Sequence, residues 1–155
     1  MTSHESAGPP LARLLAIAYR SLVDGLHERL RERGWVDVRP TFGFVLLAAR
    51  AAPTTSREVA VLMGITKQAA SKLLDAMEDA GYVRRGIDNA DGRRRPVTLT
   101  PRGTKLLQQV EEIYATLEEE WAQIIGERNV ERLRRDLTKV LSGPDGQLPP
   151  VRPPT

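Results

Sequence analysis

The residues best equipped for chemistry in this sequence are hydrogen-bond donors and cations rather than acid and base pairs. When residues 66–80 are wound as a helix, Lys67, Gln68, Ser71 and Lys72 fall within one sector of about 140° at roughly 100° per residue. No carboxylate lies among residues 66–74, the first turns of that helix. A second group follows, in which Arg84, Arg85, Arg93, Arg94 and Arg95 place five arginines in 12 residues beside Asp88 and Asp91. Such a set suits recognition of a polyanion. Gln pairs bidentately with adenine, Lys reaches guanine or phosphate, and the hydroxyls of Thr66 and Ser71 can bind phosphate oxygens. Arginine, always charged and weakly hydrated, favours narrow, electronegative minor grooves. The ordinary readings of the same residues are a solvated helix face and a charged edge strand. A solvated face more often mixes signs, as Asp75, Glu78 and Asp79 do further along.

Other chemistries find no support. Net charge is only +3, yet residues 55–105 hold ten Lys or Arg against six acids, while residues 106–155 hold six against nine. The densest carboxylates, Glu111, Glu112, Glu118, Glu119 and Glu120, are spread by helical spacing over solvent faces, with no histidine nearby to complete an acid and base pair. There is no cysteine, His4 sits in a tail, and His27 lies among charged neighbours where exposure is expected, so neither a thiol, a metal nor another cofactor is expected. The chain reads as a binding protein and not as an enzyme. The apolar run Phe42 to Ala49 ends at Arg50, short of the roughly 20 residues a membrane helix needs. Residues 1–10 lack a leader pattern. The expectation is a cytoplasmic protein with no membrane partner.

The elements that must position these residues are mainly helical. Residues 1–10 and the proline-rich 142–155 read as flexible tails around one folded unit, 11–141. Leu11, Leu14, Leu15, Ala18, Leu22, Leu26 and Leu30 recur at intervals of three and four up to Gly34, which predicts a long amphipathic helix. Pro40 suits the first turn of a second, evenly apolar and therefore buried helix that Pro53 closes. Thr55-Ser56-Arg57-Glu58 matches a reciprocal cap at the start of a third. Gly64 separates it from a fourth helix, about 66–80, ended by Gly81. Residues 82–87 and 95–99 read as a hairpin around the turn formers 88–92. Thr100-Pro101 then starts a fifth helix with a broad apolar stripe from Leu106 to Ile125, and a sixth follows Gly126 with Val130, Leu133, Leu137, Val140 and Leu141.

Residues 59–73 carry the tightest pattern. Ala60 is small where two helices would cross, Gly64 can take positive φ in the turn, and Val59, Met63, Ile65, Ala70 and Leu73 can lock the pair. That is the arrangement of a helix-turn-helix, and the arginine-rich hairpin beside it reads as a wing. The fold class expected is a mainly α winged helix-turn-helix, with the winged part at about 40–100 and helical regions 11–33 and 101–141 around it.

At these residues the sequence resembles the MarR family of bacterial transcription regulators, from about Leu11 to Leu141. The similarity is most specific in Ile65 to Leu74, in Glu78 to Val83, and in Asp88 to Arg93 running into Leu99 to Gly103. The family's Asp-x-Arg wing signature falls on Asp91 and Arg93, which implies that the carboxylate orients the guanidinium for a minor groove. Asn89 stands where many members have proline. The resemblance further implies a homodimer built from the first and last two helices, and a pseudo-palindromic operator in double-stranded DNA. Repression, the family's commoner outcome, and release by a small aromatic or phenolic effector are also implied. Trp35, Phe42 and Phe44 are the aromatic candidates for such a pocket, with core packing as their ordinary role. A winged helix serving protein or RNA partners without operator specificity is the alternative, since a fold does not fix a function.

Overall fold

The computed structural model describes residues 8–87 and 95–151. Its elements run α1 (Leu11–Glu32), α2 (Phe42–Ala51), α3 (Ser56–Met63), α4 (Lys67–Asp79), β1 (Val83–Arg85), β2 (Val97–Leu99), α5 (Pro101–Ile125) and α6 (Glu127–Leu141). This is the expected mainly α fold with a two-stranded antiparallel sheet, registered as Val83 to Leu99, Arg84 to Thr98 and Arg85 to Val97.

Local chemistry sets the helix starts. The Thr55, Thr66 and Thr100 hydroxyls accept from the amides of Glu58, Ala69 and Gly103, each satisfying an orphan donor of a first turn. The reciprocal half of the α3 cap differs from expectation. The Glu58 carboxylate accepts from the Thr54 hydroxyl at 3.1 Å rather than turning back to the cap amide. Thr54 is buried and exchanges backbone hydrogen bonds with Val97, which adds a one-residue bridge to the sheet, and its hydroxyl needs a partner there.

Gly64 takes φ of 66° at the end of α3, the left-handed turn that lets α4 cross back over α3. Gly103 answers a different need. A Cβ there would stand 2.0 Å from the Tyr82 carbonyl oxygen, so the first turn of α5 can approach β1 only without a side chain.

The core gathers around Tyr82, which is fully buried between Trp35 and Phe42 at centroid distances of 6.1 and 6.0 Å. Its hydroxyl donates to Asp37, and the Arg102 guanidinium lies 5.0 Å from its ring centroid and 4.9 Å from that of Trp35. Burial first and the Asp37 carboxylate second push the Tyr82 phenol up to about 12. Leu74 and Met77 of α4, Val59 and Met63 of α3, and Val83 and Val97 of the sheet complete the winged part of this core. The α2 helix is less buried than its composition predicts. Phe42, Val45, Leu46 and Ala49 face inward, while Leu47 is exposed and Phe44 half-buried, because α2 is the lid of a cavity rather than a central element.

The outer helices are different in kind. The α1 helix packs along α5, and α6 packs against α5. Yet α6 has no buried residue despite its apolar stripe, and Leu11, Ile17, Ile124 and Val140 are 74%, 57%, 83% and 80% exposed. Four of the α5 carboxylates are paired. Glu111 meets Arg50, Glu112 meets Arg33, Glu120 meets Arg29, and Glu118 meets Arg134. The acids fasten α1, α2 and α6 to α5.

Candidate nucleic-acid interface

The start of α4 is an outward surface. Thr66, Lys67, Gln68, Ala69 and Lys72 are exposed and Ser71 is half-buried, while Ala70, Leu74 and Met77 turn into the core. Lys67, Gln68, Ser71 and Lys72 therefore share the face expected of them. The Thr66 hydroxyl accepts the Ala69 amide at 3.0 Å, so its cap role leaves only its proton to offer a phosphate. The remaining free amides of the first turn, with the positive end of the helix dipole, add to the attraction for an anion.

The described arginines of the hairpin face two ways. Arg84 is exposed on β1 and Arg95 is exposed just before β2. Arg85 is turned inward, its side chain only 12% exposed. Its guanidinium donates to the Ser71 carbonyl at 2.7 Å and pairs with Asp75 at 2.8 Å, while its amide donates to the Glu78 carboxylate at 2.9 Å. Arg85 is thus a strut between β1 and α4. The signal was present in the sequence, since strand parity puts Arg85 on the same face as Val83. Asp91, Arg93 and Arg94 lie outside the described residues.

A cavity of about 210 Å³ lies where α1, α2 and α5 meet. Its wall is mostly apolar, with Leu26, Leu30, Leu46, Leu106 and Leu107, and it carries polar groups from Tyr19, His27, Arg39, Glu111 and Tyr114. Of the three aromatic candidates only Phe44 lines it, while Trp35 and Phe42 belong to the core around Tyr82. His27 corrects expectation. It is half-buried in the cavity wall, because residues of α2 and α5 meet α1 at that position. Burial, with a smaller contribution from Arg31, holds its imidazole below the ordinary value against the opposing pull of Asp24. Burial, and then Tyr19, push the Tyr114 phenol up. Among the described residues no helix is long and apolar enough to cross a membrane.

Comparison with known proteins adds three findings. Residues 44–94, from α2 into the hairpin, match the model of the MarR family. Over 74 residues the chain is 34% identical to the HTH-type transcriptional repressor Rv2887 of Mycobacterium tuberculosis, a match that covers 48% of this chain and 53% of that protein. The chain thus spans about half the length of the curated relatives it matches. Among solved structures, wild-type MarR from E. coli superposes with a TM-score of 0.70 at 26% identity over 86% of this chain and 98% of that one. An S. aureus MepR mutant bound to an oligodeoxyribonucleotide shares the fold, with a TM-score of 0.62 at 23% identity over 86% and 97%.

Proposed function

We propose that this chain is a sequence-specific regulator of transcription, a reading supported by the match of residues 44–94 to the MarR-family model and by the fold shared with MarR. The chain binds double-stranded DNA as a homodimer on a pseudo-palindromic operator, represses, and lets go when a small aromatic or phenolic effector binds. The observation that carries this reading is the exposed start of α4, residues 66–72, which presents two lysines and a glutamine and holds no acid. In a major groove Gln68 reads a base edge, Lys67 and Lys72 reach guanine or phosphate, and Ser71 and the capped Thr66 hold the backbone. Arg93, Arg94 and Arg95, with Asp91 orienting Arg93, extend the contact to the flanking minor groove. The unburied apolar stripe of α6 and the exposed leucines of α1 support a second copy as the partner of those helices. The cavity between α1, α2 and α5 supports an effector site, since a molecule wedged there would alter how the winged part sits on the outer helices.

A gel-shift salt series on random duplex and single-stranded RNA tests the reading, followed by footprinting of the chain's own promoter region. Counterion release makes duplex affinity fall steeply as salt rises, and Arg93→Ala lowers that slope by about one unit. Protected inverted repeats are the expected footprint. A flat salt response, or a preference for single-stranded RNA, overturns the assignment in favour of an interaction module.

A further inference from the structure

The C-terminal segment makes an ordered return along the molecule. After α6 the Ser142 hydroxyl donates to the Thr138 carbonyl, Gly146 donates to Gly143 across a turn with Gly146 at φ of 74°, and Gly143 donates to Gln147. The Asp145 carboxylate accepts the Gln147 amide and closes the turn. The chain then runs Leu148-Pro149-Pro150-Val151. Paired prolines favour the left-handed extended helix of about three residues per turn and about 3.1 Å rise, which puts residues three apart on one side. Leu148 and Val151 are those residues, and both meet apolar surface. Leu148 lines a groove with Leu22, Trp121, Leu133, Leu137 and Leu141. Val151 lines the cavity described above, whose remaining wall comes from α1, α2, α5 and residues 38–40. Leu22 of the groove and Val23 of the cavity are adjacent on α1, so one short extended stretch reaches both.

We propose that residues 142–151 form a strap over the cavity, and that an effector must displace Val151 to enter fully. The inference rests on the effector reading above and concerns the regulation of that same site. Leu148 and Val151 remain 56% and 57% exposed, so the strap is a shallow contact that can lift without unfolding anything else. The prolines reduce the entropy lost when it seats again. A site blocked by such a segment binds with an affinity reduced by the fraction of time it is open.

The test compares the full chain with a chain ending at Ser142 and with Leu148→Asp, using the apolar fluorophore anilinonaphthalene sulfonate as probe. Removing or unseating the strap tightens probe binding by about fivefold or more, as a segment seated most of the time requires. Emission of Trp121, which shares the groove with Leu148, shifts to longer wavelength in both variants. Gly43→Leu identifies the site. Gly43 lines the cavity and a Cβ there meets nothing within 4 Å, so the added side chain fills the cavity and abolishes the gain. Equal probe affinity in all three chains overturns the strap, as does a Trp121 shift without tighter binding. No binding by any chain removes the cavity as an effector site, and the strap falls with it.

Discussion

At the scale of single residues, neighbouring polar side chains do different work. Lys67, Gln68 and Lys72 face outward, whereas Arg85 spends its guanidinium on the Ser71 carbonyl and Asp75. Gln68→Ala relaxes preference at one or two base positions and costs about 1–3 kcal/mol against the best site, which selection from random duplexes will show. An unchanged consensus would exclude base reading by Gln68. Arg85→Ala, by contrast, lowers folding stability by about 1–3 kcal/mol in a urea melt, since it strips partners from a half-buried site. Arg85→Lys does not restore it, because one ammonium lacks the planar fork that serves both acceptors. Tyr82 gives a pH signature. Its phenol is pushed up to about 12 from an ordinary 10.0, so the folded state holds its proton more tightly than the unfolded chain. The stability it contributes is therefore intact below about pH 10 and declines as pH rises toward 12. Denaturation of wild type and Tyr82→Phe on either side of that window should show the steeper alkaline loss in the wild type.

At the scale of elements, what could be read in advance was what depends on near neighbours in sequence. Thr55 and Thr100-Pro101 were legible as helix starts because a cap is closed by an amide three residues on. The helix-turn-helix was legible because Ala60, Gly64 and the locking apolar residues all fall within one short stretch. The bridge between Thr54 and Val97 joins residues far apart in the chain, and no local pattern announces it. The same holds for the seat of His27, which depends on where α2 and α5 lie around α1. Gly103 marks the boundary between the two cases. It reads as part of a family motif, but its physical reason is the Tyr82 carbonyl pressed against it. Gly103→Ala therefore forces α5 away from β1 and costs about 1–3 kcal/mol as overpacking does. Thr66→Ala removes only a cap and costs about 1 kcal/mol. Thermal melts should rank the two in that order, and a Gly103→Ala chain as stable as wild type would refute the close approach.

At the scale of the whole molecule, the single chain is finished at its winged end and unfinished at the other. Tyr82, Leu74, Met77 and Leu106 are wholly covered, while no residue of α6 is fully buried and Leu133, Val140 and Leu141 stay exposed. A second copy laid against α1, α5 and α6 would cover that surface and hold two α4 helices at a fixed separation, about 34 Å for successive major grooves on one face of a duplex. Assembly and operator affinity are then one quantity. The double substitution Leu15→Asp and Val140→Asp places charge on exposed apolar positions of α1 and α6, so it spares the core of the isolated chain. Sedimentation should find wild type as a dimer and the variant as a monomer that keeps its helix content. Each half-site contact survives in that monomer, but the second contact is no longer intramolecular, and operator affinity falls by about 10²–10⁴-fold through lost effective concentration alone. Binding to an isolated half-site stays unchanged. A wild-type chain that sediments as a monomer at concentrations where it protects an inverted repeat would show that the exposed stripes serve something other than pairing.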